Sequence, residues 1–121
     1  MKSQRGYCND ILMRIAQIER FTAEGEAAFM QDDRTQEAVI RCFEVIGEAV
    51  KRLDPTLTGQ HPQINWPAYA GFRDVLIHQY DSTRLDKVWE AVQDDLAPLQ
   101  ETIQTLLAAL LPDNTSESDN T

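Results

Sequence analysis

The chain has 121 residues, 42% of them hydrophobic and 26% charged, with a formal charge of −9 from 20 acidic and 11 basic side chains. That length and apolar share fit one domain with a real core and exclude both a two-domain enzyme and a disordered polypeptide. Five Gly and five Pro exclude a collagen-like or low-complexity chain. No apolar run approaches the roughly 20 residues of a membrane span, and residues 1–12 lack the basic-then-apolar layout of a secretory signal, so a cytoplasmic location is expected. Acidity also argues against loose, charge-driven binding to nucleic acid.

Apolar residues recur every three or four positions through nearly the whole chain, which predicts an all-α fold. A first helix is expected from about residue 4 or 9 to about 29, lined by Cys8, Ile11, Ile15, Ile18 and Thr22 and weakened by Gly25. Cys8 and Cys42 sit inside apolar stripes and read as buried thiols. A second helix, capped by Asp33 or Thr35, carries Val39, Cys42, Phe43, Ile46, Val50 and Leu53 and must stop near Asp54, because Pro55 cannot continue it.

Residues 55–65 read as the longest loop, with His61 an ordinary exposed residue in it. Asn65 is the expected N-cap of a third helix running through Gly71 to about residue 79, and Gly71 suggests the close approach of another backbone. The last helix opens near Ser82 or Thr83 and reads Leu85, Trp89, Val92, Leu96, Leu99, Ile103, Leu106 and Leu110. Pro98 should kink or split it. The expected architecture is a four- or five-helix antiparallel up-down bundle over residues 1–111, followed by an acidic disordered tail over 112–121.

The charge is uneven. Asp113, Glu117 and Asp119 in the tail account for three negative charges, leaving −6 on the body. Residues 81–101 hold six acids against Arg84 and Lys87, whereas residues 34–52 are net positive, with Arg34, Arg41, Lys51 and Arg52 against Glu37, Glu44 and Glu48. An anionic partner would therefore meet a small basic region on a repelling surface.

The segment Arg73-Asp74-Val75-Leu76-Ile77-His78-Gln79-Tyr80 brings a guanidinium, an imidazole and a phenol within eight residues. The same residues would serve as an ordinary helix end, with a cationic His favouring the dipole and Tyr80 packing its ring. At about 100° per residue Arg73 and Tyr80 lie within roughly 20° of each other, whereas His78 is about 140° from Arg73. They cannot converge from one straight helix facing bulk water; a groove, or a two-fold axis with a second copy, would bring them together. Arg with His, and no metal or cofactor, offers phosphoryl transfer: imidazole takes the 2′-hydroxyl proton of a ribose and the arginine fork holds the phosphate. Arg41, Glu48 and Lys51, on the second-helix face opposite its core stripe, are candidates to rim such a cleft, or simply form a solvated face.

The segment Arg73-x4-His78-x-Tyr80 resembles the R-x4-H-x-Y signature of HEPN-domain ribonucleases, specifically the HepT toxins of the HepT/MntA toxin–antitoxin class. Thr35-Gln36-x-Ala38-Val39-Ile40-Arg41 with Ile46-Gly47-Glu48-Ala49 is similar to the family's second helix. Ile64-x-Trp66 with Ala70-Gly71-x-Arg73 resembles its third-helix entry and Val88-Trp89 its last helix, so the likeness spans roughly residues 7–100. The resemblance implies a homodimeric helical bundle in which Arg73 and His78 of two copies face each other across a cleft. It implies a metal-independent ribonuclease acting on tRNA, and a minimal nucleotidyltransferase antitoxin that transfers AMP onto Tyr80. Asp74 stands where many family members have Asn, and its carboxylate can pair with Arg73 or His78 or repel RNA. The alternative class is a non-catalytic helical adaptor or nucleotide-binding subunit of a nucleotidyltransferase complex.

Overall fold

The computed structural model describes residues 2–78 and 85–112, and of residues 73–78 the backbone alone. Seven helical segments and no strand are present among the described residues: α1 (Gln4–Phe21), α2 (Glu26–Met30), α3 (Asp33–Lys51), α4 (Pro55–Thr58), α5 (Trp66–His78), α6 (Leu85–Asp94) and α7 (Leu96–Ala109). The fold is all-α, as the apolar periodicity predicts. Five of the segments have ten or more residues and form the bundle. No described helix is long and apolar enough to cross a membrane.

Local chemistry explains each boundary. Ser3 caps α1 by accepting from the Gly6 amide at 3.0 Å. The expected single helix to residue 29 breaks at residues 22–25, because Gly25 adopts φ 95° and ψ −178°, a conformation open essentially to glycine alone. The cap of α3 is Asp32 rather than Asp33 or Thr35: its carboxylate accepts from the Arg34 and Thr35 amides and the Thr35 hydroxyl. Those bonds hold the Asp32 carboxyl below its ordinary value, the Thr35 hydroxyl contributing most. Asp54 caps a short turn of helix, α4, with Pro55 in its first position, so the expected loop is partly helical. The last helix is split, but at Asp95: Pro98 falls in the first turn of α7, where its missing N–H is no loss, and the bond from the Leu99 amide to the Asp95 carbonyl starts the new helix.

Packing is centred on α3, which lies between α1 and α5. Cys8, Ile11, Ile15 and Ile18 of α1 are buried against Val39, Cys42, Ile46 and their neighbours on α3 and against Leu99, Ile103 and Leu106 of α7. Each such aliphatic side chain stabilises the fold by about 1.5–3 kcal/mol relative to an exposed one. Both thiols are buried and free, and burial pushes each up in pKa. Polar ties fix the antiparallel directions. The Gln4 amide donates to the Arg52 carbonyl at 3.1 Å and accepts from the Asp54 amide at 2.7 Å, so the start of α1 meets the end of α3. Arg5 donates to the Leu107 carbonyl at 3.2 Å, satisfying the end of α7. Buried Gln36 donates to the Phe29 carbonyl at 2.9 Å and locks α2 onto α3, while Phe29 stacks at a tilt on Trp89 of α6, ring centres 5.3 Å apart. Residues 113–121, where the acidic tail is expected, and Ser82 and Thr83 lie outside the described residues.

Candidate active site

The helix that carries the Arg-x4-His segment is α5, and three contacts fix its first two turns. Asn65 accepts from the Ala68 amide at 3.2 Å through its side chain, the expected N-cap, and Pro67 sits in the first turn. The Trp66 indole N–H is shared between the Thr58 carbonyl at 3.0 Å and the His61 carbonyl at 3.1 Å, binding the 55–64 segment to the helix start. His61, expected to be exposed, is half-buried there. One turn later Tyr69 donates its hydroxyl to the Asp95 carbonyl at 2.7 Å, joining α5 to the α6–α7 break, and Phe72 meets Phe43 of α3 edge-on with ring centres 5.3 Å apart. Gly71, expected to mark a close backbone approach, has nothing within 4 Å of the position its Cβ would take. Among the described residues, no other backbone is what that glycine makes room for.

Arg73 directly follows Phe72 and lies one turn after Tyr69, and His78 is the last residue of α5. Both positions, with Asp74, are on the helix whose first turns the Tyr69 and Phe72 contacts fix. The side chains of Arg73, Asp74 and His78, and the whole of Tyr80, lie outside the described residues.

Around the start of α5, Phe43, Ile64, Tyr69, Phe72, Ala91, Asp95 and Pro98 line a mainly apolar hollow of about 460 Å³. Its polar groups are perturbed. Burial, helped by the Asp95 charge, pushes the Tyr69 phenol up to about 12. Burial raises the Asp95 carboxyl, and the Asp94 and Glu90 charges add to the effect. The sequence reading passed over Tyr69 and Asp95; a tyrosine four residues before Arg73 is a signal of sorts, but its partner 26 residues away is not.

Arg41 and Glu48 lie elsewhere. Both line a groove of about 510 Å³ between α1 and α3, together with Lys2, Tyr7 and Asp10, and none of the described α5 side chains contributes to it. Arg41 pairs with Glu44 at 3.3 Å, and Arg52 donates twice to Glu48 at 2.9 and 3.1 Å. Lys51 is exposed. The structure thus brings Arg41 and Glu48 to one groove with the start of α1.

Four matches connect this chain to known proteins. Residues 11–106 match the family described as Ribonuclease HepT-like. A probable ribonuclease HepT of Thermococcus cleftensis is 39% identical over 100 residues, covering 82% of this chain and 91% of that protein. A candidate RNase of Methanocaldococcus jannaschii is 36% identical, covering 87% of this chain and 91% of its own, and one of Caldanaerobacter subterraneus is 32% identical, covering 88% and 96%. No solved structure gives a match.

Proposed function

Since the chain belongs to the HepT-like ribonuclease family, we propose that it is a metal-independent endoribonuclease toxin whose working groups are Arg73 and His78. The observation that carries this reading is the Arg-x4-His spacing on α5, within the matched residues 11–106 and just past the anchored turns at Trp66 and Tyr69. In the proposed reaction the His78 imidazole takes the proton of a ribose 2′-hydroxyl and the freed oxygen attacks the adjacent phosphorus. The bond to the 5′-oxygen breaks, and that oxygen leaves with a proton. The products are a 2′,3′-cyclic phosphate and a 5′-hydroxyl. Arg73 clamps the phosphate and offsets charge in the transition state.

An ideal helix separates Arg73 and His78 by about 140°, so one copy supplies the two groups poorly to a single phosphate. A homodimer with Arg73 of one copy facing His78 of the other resolves this. The proposed target is tRNA. The proposed antidote is a minimal nucleotidyltransferase that attaches AMP to Tyr80, adding bulk and negative charge where the RNA phosphate sits.

The test is cleavage of tRNA by purified protein in the presence of a chelator. Products ending in 2′,3′-cyclic phosphate, lost in Arg73→Ala, support the reading; chelator-sensitive cleavage, or cleavage leaving 3′-hydroxyl ends, overturns it. The charge of −9 favours a second reading, an acidic helical adaptor that holds a nucleotidyltransferase. Absence of any RNA cleavage, together with stable capture of such a partner by the Arg73→Ala variant, would favour it.

A further inference from the structure

The two proposed working positions lie past the stretch where α5 is held. Among the described residues, α5 lies along α3 and comes close to α6 and α7 at few points. Its holds come early: the Trp66 indole on the Thr58 and His61 carbonyls, the Tyr69 hydroxyl on the Asp95 carbonyl at 2.7 Å, and the Phe72 ring edge-on to Phe43. At about 100° and 1.5 Å per residue, Trp66 and Tyr69 fall within roughly 40° of position 73 and precede it by about 10 Å and 6 Å along the axis. A roll or slide of the helix at Tyr69 therefore reaches position 73 almost undiminished.

Of these holds, the Tyr69 hydroxyl is the directional one that reaches the α6–α7 side. Apolar rings in contact resist separation but slide at little cost, whereas a hydrogen bond weakens steeply with distance and angle. Its acceptor is fixed at a junction of two helices. The Asp95 amide donates to the Ala91 carbonyl at 3.0 Å at the end of α6, and the Asp95 carbonyl accepts from the Leu99 amide at 3.4 Å, a long bond that leaves the phenol as its nearer partner. Packing does not clamp the tyrosine ring. Tyr69, Phe72 and Asp95 all line the hollow of about 460 Å³, so space lies beside the ring and the hydroxyl bond is what limits its shift. Burial pushes the phenol up to about 12, so it remains a donor throughout the neutral range.

We propose that Tyr69 is a positioning residue: its hydroxyl, bound to the Asp95 carbonyl, fixes the height and roll of α5 and so the place of Arg73 at the scissile phosphate. The role in cleavage rests on the ribonuclease reading; the hold on α5 does not. Arg73 offsets charge that develops as the 2′-oxygen attacks, and that stabilisation is lost with displacements that ground-state binding tolerates. RNA binding is spread along a polymer, so the loss falls on kcat rather than KM. A misplacement of about 1 Å costs about 100-fold, and removal of one hydroxyl with Trp66 and Phe72 still in place is expected to cost about tenfold.

The test is the kinetics of tRNA cleavage by the full chain, with chelator present, at a temperature where circular dichroism shows every variant fully folded. Tyr69→Phe should lower kcat about tenfold and leave KM within about twofold. Ile103→Val, in the fully buried core of α7, weakens the fold by a comparable step and should leave both constants unchanged. In the Arg73→Ala background, Tyr69→Phe should take nothing further from the residual rate, because a residue that acts through Arg73 has no effect once Arg73 is gone, whereas a general weakening of the fold multiplies through. Hydrogen exchange reads the hold without any cleavage: the amides of residues 73–77 should exchange about fivefold faster in Tyr69→Phe, the factor of one net hydrogen bond, and near the wild-type rate in Ile103→Val. Unchanged exchange, a kcat within about twofold of the wild type, or an equal loss with and without Arg73 overturns the positioning role while the ribonuclease reading stands. If exchange rises as expected but the wild-type chain cleaves no RNA, the ribonuclease reading fails and the role in cleavage with it, while the hold on α5 stands.

Discussion

Trp66→Phe isolates one of the ties that set α5. The substitution keeps an aromatic ring but removes the indole N–H that the Thr58 and His61 carbonyls share. Neither carbonyl becomes an orphan: Thr58 still accepts from the His61 amide at 3.0 Å and His61 from the Ile64 amide at 3.2 Å. The loss is therefore the net value of one neutral hydrogen bond, about 1 kcal/mol, rather than the larger penalty of a buried unsatisfied group. The smaller ring of a half-buried side chain adds up to about 1 kcal/mol through lost packing. A total of about 1–2 kcal/mol should lower the melting temperature by roughly 3–10 °C in a domain of this size. Urea unfolding followed by circular dichroism measures it, and amide exchange at Ala68 and Tyr69 should rise more than exchange at Ile15, in the α1 core. A midpoint within about 0.3 kcal/mol of the wild type would refute the claim that the indole bond anchors α5, a difference well below the value of one hydrogen bond.

Other consequences follow from the same geometry. Gly25→Ala should cost about 1–3 kcal/mol in urea unfolding, because the backbone at φ 95° is strained for any residue with a Cβ although nothing crowds it. The Tyr69 phenol, held at about 12, prefers its neutral form in the folded protein. Its contribution is complete below the unfolded value near 10 and is lost as pH climbs from there towards 12, so an ultraviolet titration should show a late-ionising phenol that Tyr69→Phe removes. For Asp95 the raised carboxyl means that ionisation is a cost to the fold above its folded pKa and none below its unfolded one. Asp95→Asn should accordingly raise the melting temperature at pH 7 and lose that advantage near pH 3; an equal gain at both values would point away from charge.

Most of the bundle was legible because its signals are local. The stripe of Cys8, Ile11, Ile15 and Ile18 is one face of a 3.6-residue period, and all four are buried. Pro55 ended α3 as expected, and Asn65 opened α5. What escaped was competition between neighbours. Asp32, Asp33 and Thr35 are all acceptable caps, and only the fold shows that Asp32 takes the amides while the Thr35 hydroxyl donates to it. Gly25 reads as a weak helix residue until its backbone turns positive in φ. Pro98 announces a break, but the break falls three residues earlier, since proline is comfortable in a first turn. Of the candidate site, the Arg-x4-His spacing is visible in a string, whereas the Tyr69–Asp95 bond joins residues 26 apart in the chain. Charge read by segment also passed over residues 1–22, where Lys2, Arg5, Arg14 and Arg20 outnumber Asp10 and Glu19.

The central claim is that Arg73 and His78 on α5 make this chain a ribonuclease, and the most direct measurement is the single-turnover cleavage rate of tRNA by the wild type and by His78→Ala, side by side with chelator present. The account predicts a rate for His78→Ala lower by about 100-fold or more, the usual contribution of a general acid or base, with an unchanged melting curve. Equal rates from two equally folded proteins would contradict it.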